Sequence, residues 1–214
     1  MDDKRVRFIP SKAALKSIRD LGITLIQGVS ELVDNSVDAG SKNINIYVNN
    51  TEGNLWRIIV EDDGCGIPEE ISDSVQKALR FGGRIPLPSK KQTIGRFGFG
   101  LSQTAICLTK HTKVYSKTSL GVWRSCYMDV EELERDGAYL PPEIKNDRSW
   151  ENLFSDLKGY ENGTIISLHE IDRPGYDDMD WFVSDLKVVL GRIHRYSMND
   201  GLRINISSNG SNLE

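Results

Sequence analysis

Between Ile23 and Ala39 the sequence ITLIQGVSELVDNSVDA returns an apolar residue at every third or fourth position. These are Leu25, Val29 and Leu32, with Ile26, Val33 and Val37 beside them. That period predicts a helix, and Gly40 directly after it is the residue type that ends one. At about 100° per residue, Glu31, Asn35 and Asp38 fall within one narrow arc of this helix. Buried polar groups cost on the order of 1–3 kcal/mol each when left without partners. An acid, an amide and a second acid in register therefore read either as a solvated stripe or as a site, and the helix alone does not decide between them.

The flanking pattern supplies the rest of an α/β domain. Residues 11–21 predict a short amphipathic helix capped by Ser11. Asn43–Val48 alternates polar and apolar, Trp56–Val60 is nearly all apolar, and the turn residues between them make the pair a hairpin. Pro68 with the acids after it predicts a helix over 68–79. Residues 81–94 read as a long loop, followed by a helix over Ser102–Leu108. Thr112–Lys117 and Val122–Met128 predict a second hairpin, and 129–162 a loop with short helical pieces and isolated aromatics. Gly163–His169 predicts a strand. Met179–Tyr196 predicts an amphipathic helix with Phe182, Leu186, Val189, Leu190 and Ile193 on one side, and Leu202–Ile206 opens a further strand.

Composition narrows the function classes. The 214 residues carry a net charge of -4, which argues against a general nucleic-acid-binding surface within this stretch. Three cysteines, Cys65, Cys107 and Cys126, lack CxxC spacing and suggest neither a zinc site nor a disulfide framework. The charged opening MDDKRVRFIP is not a signal peptide, and no apolar run reaches membrane-spanning length, so a cytoplasmic setting (nuclear in a eukaryote) and no membrane partner are expected.

Two further stretches carry chemistry. The second strand runs into Glu61-Asp62-Asp63-Gly64-Cys65-Gly66-Ile67-Pro68, where two glycines let the backbone pass close to something flat and Asp62 aims a carboxylate at the same place. An acidic turn is the plainer alternative. Gly95-Arg96-Phe97-Gly98-Phe99-Gly100-Leu101 precedes a helix and would offer backbone N–H groups to an anion, where the dull alternative is a flexible connector. It is neither a P-loop, since no Gly-Lys-Ser/Thr follows, nor a dinucleotide fingerprint, since the third glycine is missing.

Four motifs in fixed order resemble the ATP-binding domain shared by gyrase B proteins, heat-shock-90 chaperones, sensor histidine kinases and MutL proteins, the GHKL superfamily. They are Glu31-x-x-x-Asn35-x-x-Asp38-Ala39, Asp62-x-Gly64-x-Gly66, Gly95-x-x-Gly98-x-Gly100, and Gly163-Thr164. The flavour is similar to MORC and MutL ATPases, although Ser102 stands where MORC proteins usually have lysine. The resemblance implies a Bergerat fold: a two-layer α/β (α+β) sandwich of a mixed, mostly antiparallel sheet with helices on one face and an ATP lid. It implies ATP and Mg²⁺ as ligands. Glu31 would activate the attacking water. Asn35 would hold the metal through the ATP phosphates, and Asp38 would lie near the base and the helix end. Asp62 would accept from the adenine amine, with Gly64, Gly66 and Ile67 around the base. Gly95, Phe97, Gly98, Phe99, Gly100 and Leu101 would surround the phosphates, and Thr164 would support Asp62 through water. Asp34, some 60° off the Glu31 direction, ranks second as a base.

The expected organisation is an ATP-binding domain over 1–200 and a following segment or polar tail over 201–214, with no transducer domain and hence no assignable catalytic lysine. The expected function is slow ATP hydrolysis acting as a switch that closes the lid and pairs two copies, with weak or no turnover in this stretch alone. DNA would be met through domains outside this sequence. A nucleotide sensor without turnover is the alternative. A sensor kinase is disfavoured, because kinases of this fold place asparagine where Glu31 stands.

Overall fold

The computed structural model describes residues 6–7, 12–20, 22–50, 55–69, 73–83, 100–135, 139–152 and 161–209. Ser11, the expected cap of the first helix, falls outside them. In chain order the elements are β1 (Val6–Arg7), α1 (Lys12–Arg19), α2 (Leu25–Asp38), β2 (Asn43–Asn50), β3 (Trp56–Asp62), α3 (Ser74–Leu79), α4 (Gly100–Leu108), β4 (Thr109–Lys117), β5 (Arg124–Asp129), α5 (Val130–Arg135), β6 (Tyr139–Leu140), β7 (Ile144–Lys145), a 3-10 turn (Ser149–Asn152), β8 (Gly163–Ile171), α6 (Met179–Ile193), α7 (Arg195–Asn199) and β9 (Arg203–Asn209).

Seven strands form one mixed sheet in the order β7–β5–β4–β8–β3–β2–β9, while β1 pairs with β6 apart from it. Within that sheet β9 runs parallel to β2, and the other described pairs are antiparallel. One face of the sheet buries Ile44, Ile46, Ile58, Val60, Val114, Ile166 and Leu168 against the apolar sides of α1, α2, α3, α4, α5 and α6. The opposite face carries a smaller cluster of Ile59, Tyr115, Trp123, Trp150 and Ile165. This is the α/β sandwich expected, its main core lying between the sheet and a layer of α-helices.

α2 is fixed at both ends. Thr24 and Gln27 form a reciprocal capping box, the Gln27 N–H donating to Thr24 Oγ1 and the Thr24 N–H to Gln27 Oε1. At the far end Gly40 turns the chain with φ +78°. Gly28 lets α4 come close: a Cβ there would sit 2.6 Å from Leu108 Cδ1 and 2.9 Å from Thr104 Cγ2. That approach sets the N-terminus of α4 opposite Glu31.

Three expectations need correction. The helix predicted over 68–79 begins only at Ser74. Glu69, placed in its first turn by propensity, instead accepts the Val122 N–H and sits 3.4 Å from the Arg124 guanidinium, so tertiary partners outweigh the local signal. The helix predicted over 179–196 stops at Ile193, and α7 restarts at Arg195 after a break at His194. Val183 joins Phe182, Leu186 and Leu190 in the core while Ile193 lies exposed. The loop with short helical pieces expected over 129–162 has those pieces in α5 and a 3-10 turn but also holds the strands β6 and β7, and Trp150 packs against Trp123, ring centroids 4.7 Å apart, rather than standing alone. The strand expected to open at Leu202 is found as β9, Arg203–Asn209, the seventh strand of the sheet beside β2.

Candidate functional site

At the end of the sheet nearest the Asp62–Glu69 turn, strand register lines up a row of polar side chains. Asp62 on β3 is opposite Thr164 on β8, Thr164 is opposite Ser116 on β4, and Ser116 is opposite Arg124 on β5. All lie on the helix-covered face, continuing the alternation of Val60, Ile166, Val114 and Cys126. A polar row at the margin of an apolar core is costly, and each member here is held by specific partners.

Asp62 is 4 % exposed. Its Oδ1 accepts from the Gly64 N–H at 2.9 Å and from Ser41 Oγ at 3.2 Å, and its Oδ2 accepts from Ser36 Oγ at 2.8 Å. Ser36 Oγ also lies 3.2 Å from the Leu32 carbonyl, so its one hydrogen is divided between two acceptors. The carboxylate is therefore short of donors, and burial above all pushes its pKa up despite the three bonds it has. A neutral N–H donor arriving at Oδ2 would complete its shell.

Beside it the turn is closely packed. Gly66 has φ +71°, and a Cβ there would sit 2.2 Å from the Lys117 carbonyl oxygen. Gly163, at φ +149°, lets β8 enter against β3, where a Cβ would meet the Asp62 carbonyl oxygen at 2.1 Å. Asn162 Nδ2 donates to the Gly64 carbonyl at 2.6 Å and to the Asp63 carbonyl at 3.2 Å. The Cys65 N–H donates to the Ala39 carbonyl, tying the turn to the end of α2. Ile67 is gripped twice: its N–H donates to Ser116 Oγ at 2.8 Å, and its carbonyl accepts from Arg124 Nη2 at 2.6 Å. Arg124, 3 % exposed, also donates to Ser74 Oγ at 2.7 Å and pairs with Glu143 at 3.1 Å. A buried guanidinium with these partners is a brace for the turn.

The other end of α2 faces α4. A Cβ on Gly100 would sit 2.6 Å from Glu31 Oε2, so the Glu31 carboxylate stands at the N-terminus of α4, where anions are favoured. Asn35 and Asp38 are half-buried along the same side of α2. Asp34 diverges from them. Its Oδ1 lies 3.4 Å from Nε2 of His194, at the break between α6 and α7, without a hydrogen bond. Burial, with the charges of Glu31 and Asp38, raises the Asp34 pKa to about 6. Burial also lowers that of His194, so the contact is not an ion pair at neutral pH. Leu101 packs partly buried against the core. Gly95, Phe97, Gly98 and Phe99 lie outside the described residues.

The residues present suit the ligands the sequence implied. A buried carboxylate with room for one more donor, beside a turn whose Gly64 and Gly66 carry no side chain, fits an amine-bearing flat base. Among the described residues no group of three or more His, Cys, Asp or Glu forms a metal cage. Asn35 as a single oxygen ligand suits a cation such as Mg²⁺ that takes its other ligands from phosphate and water. The structure thus gathers Asp62, Gly64, Gly66, Ile67 and Thr164 at one end of α2 and Glu31 and Gly100 at the other. Sequence reasoning missed Ser36, Ser41, Ser116, Arg124 and Asn162. Ser116 left a trace, since TKVYSK places it on the same face as the apolar Val114.

Comparison with known proteins agrees with this geometry. Residues 23–164 match the model of the histidine kinase-, DNA gyrase B-, and HSP90-like ATPase family. The DNA mismatch repair protein MutL of Carboxydothermus hydrogenoformans is 56 % identical over 48 residues, covering 22 % of this chain and 8 % of its own length. MutL of Thermoanaerobacter sp. is 30 % identical over 126 residues, covering 49 % of this chain and 20 % of its own. The B component of the type 2 DNA topoisomerase 6 of Methanosarcina acetivorans is 34 % identical over 108 residues, covering 46 % of this chain and 17 % of its own. The matched stretch thus spans a fifth or less of each of these relatives. Among the described residues no helix is long and apolar enough to cross a membrane. With the family model covering the stretch from the head of α2 to the Gly163-Thr164 strand entrance, the chain belongs to the histidine kinase-, DNA gyrase B- and HSP90-like ATPases.

Proposed function

We propose that this domain binds ATP with Mg²⁺ between α2 and the Asp62–Glu69 turn and hydrolyses it slowly, the cycle acting as a conformational switch. The observation that carries the reading is Asp62, a buried carboxylate short of one donor at the head of a turn whose glycines carry no side chain. In this reading Asp62 takes the adenine amine, and Gly64, Gly66 and Ile67 flank the base. Thr164 supports Asp62, and Asp38 sits toward the base end of α2. Gly100 and Leu101 head the helix toward the phosphates, with Gly95, Phe97, Gly98 and Phe99 closing over them. Asn35 would hold Mg²⁺, which supplies charge neutralisation on the phosphates.

Glu31 acts as the general base, orienting a water and accepting its proton. Its place at the N-terminus of α4, and the turning of Asp34 toward His194, favour Glu31 over Asp34 for that role. The domain is proposed to extend over residues 1–200, with β9 added to its sheet from the segment 201–214 that leads onward, and to pair with a second copy when nucleotide is bound. MutL relatives support the MutL-like side of the MORC- or MutL-like assignment, and contact with DNA would come through parts outside this sequence. The reading is tested by calorimetry with Mg²⁺: ATP binds, and GTP binds at least roughly tenfold more weakly. Equal affinity for the two would overturn it.

A further inference from the structure

We propose that Ser116 sets the purine selectivity of this pocket by fixing the direction in which Thr164 points its hydroxyl hydrogen. The inference rests on the nucleotide-binding reading above and gives a role to a buried residue that reading does not use. Ser116 has no exposed surface, and its Oγ has three polar neighbours. The Ile67 N–H donates to it at 2.8 Å, the Gly163 carbonyl oxygen lies at 3.1 Å, and Thr164 Oγ1 lies at 3.1 Å. A hydroxyl has one hydrogen and two lone pairs.

The count closes in one way only. The amide of Ile67 occupies one lone pair. A carbonyl can only accept, so the single hydrogen of Ser116 goes to Gly163. The contact with Thr164 is then a hydrogen bond only if Thr164 donates, into the second lone pair. This is the one arrangement in which all three contacts are made without dividing a hydrogen between two acceptors. Thr164 is thereby left facing the pocket with lone pairs alone.

Thr164 is the half-buried member of the row, and Asp62 and Ser116 on either side of it are buried. Within this row, the oxygens left to meet a ligand are those of Thr164 and the donor-short Oδ2 of Asp62, and both accept. A purine with an amine at its six position finds acceptors there. A purine with a carbonyl at that position meets acceptor against acceptor, an arrangement that costs binding because neither group can be paired. Without the Ser116 oxygen, the Thr164 hydroxyl is free to turn and donate to that carbonyl. Ser116 touches no ligand itself and is a positioning residue.

The test is calorimetry at pH 8 on the 214-residue chain, with Mg²⁺ and the non-hydrolysable imido analogues of ATP and GTP. The readout is the ratio of the two affinities, which a merely structural role would leave alone. Ser116→Ala is expected to narrow the preference for the adenine analogue by roughly three- to tenfold, mainly by tightening the guanine analogue. In a Thr164→Val background, with no hydroxyl left to turn, the same substitution is expected to leave the ratio unchanged. Should Ser116→Ala not fold, Ser116→Cys fills the same space with a poor acceptor and is expected to narrow the preference likewise. A fall of both affinities by one factor, or the same narrowing in the Thr164→Val background, would overturn the proposal while leaving ATP binding intact. Wild-type protein that binds neither analogue would overturn the nucleotide reading beneath it, and is seen before any variant is made.

Discussion

Asp62→Asn is expected to cost roughly a hundredfold in ATP affinity while raising the thermal stability of the ligand-free domain. Both effects come from the same hydrogen-bond count. In the wild type, Ser36 divides one hydrogen between Asp62 and the Leu32 carbonyl, leaving a buried negative charge under-supplied. An asparagine amide in the same place would keep its oxygen on the Gly64 N–H and Ser41, and its nitrogen would donate to Ser36 Oγ. Ser36 could then give its hydrogen wholly to Leu32. The charge is gone and one amide hydrogen is left, on the side the ligand approaches, for a net gain on the order of 1 kcal/mol in folding. The same amide would turn a donor toward the adenine amine, so affinity collapses.

The pH dependence follows with opposite signs for folding and binding. Burial raises the Asp62 pKa above the 3.8 of an ordinary aspartate, so the folded state holds a proton that the unfolded state has released. This group's contribution to stability is complete below pH 3.8 and is lost as pH rises through the raised value. ATP affinity, which needs the ionised acceptor, rises across the same window. In Asp62→Asn the part of each slope that this group contributes should be lost, as denaturant melts and titrations at a series of pH values, set against wild type, would show. A variant that is less stable than wild type at pH 8 would contradict the donor count.

The second large effect concerns turnover. Glu31→Gln in the full-length protein is expected to bind the Mg²⁺ complex of ATP within about threefold of wild type and to hydrolyse it roughly 10²–10⁴ times more slowly. Glutamine preserves size and hydrogen bonding but cannot take a proton from water. The position of the carboxylate makes the expectation specific, because Glu31 reaches the N-terminus of α4 while Asp34, one turn on, points to His194 instead, its Oδ1 3.4 Å from Nε2. Single-turnover phosphate release measures the chemical step directly. Unchanged release in Glu31→Gln, with loss in Asp34→Asn, would transfer the role to Asp34.

How much of this could be read from the sequence depends on the distance over which each feature is decided. α2 was legible because a 3.6-residue period and a terminal glycine are local signals, and the arc holding Glu31, Asn35 and Asp38 follows from helix geometry alone. Asp62 was legible because it ends an apolar strand and precedes two glycines. The helix expected from Pro68 was misjudged because Glu69 takes its partners from Val122 and Arg124, more than fifty residues away. The break at His194 had no local signal. Ser116, Arg124 and Asn162 became visible only once strand register placed β4, β5 and β8 beside β3, since one residue of slip would turn each of them to the opposite face. Ser36 lay inside a recognised motif, yet its service to Asp62 needs the position of β3 against α2. Groups that would touch a ligand were thus more readily legible than the groups that hold them.

The central claim is that the purine amine completes the hydrogen-bond shell of Asp62 while the phosphates run toward Glu31 and Gly100. A crystal structure of the domain with Mg²⁺ and adenylyl-imidodiphosphate measures this most directly. The account predicts the six-position nitrogen within hydrogen-bonding distance of an Asp62 carboxylate oxygen, Thr164 accepting beside it, and the metal on the Asn35 side chain. A nucleotide bound elsewhere, with Asp62 still held only by Ser36, Ser41 and Gly64, would contradict it.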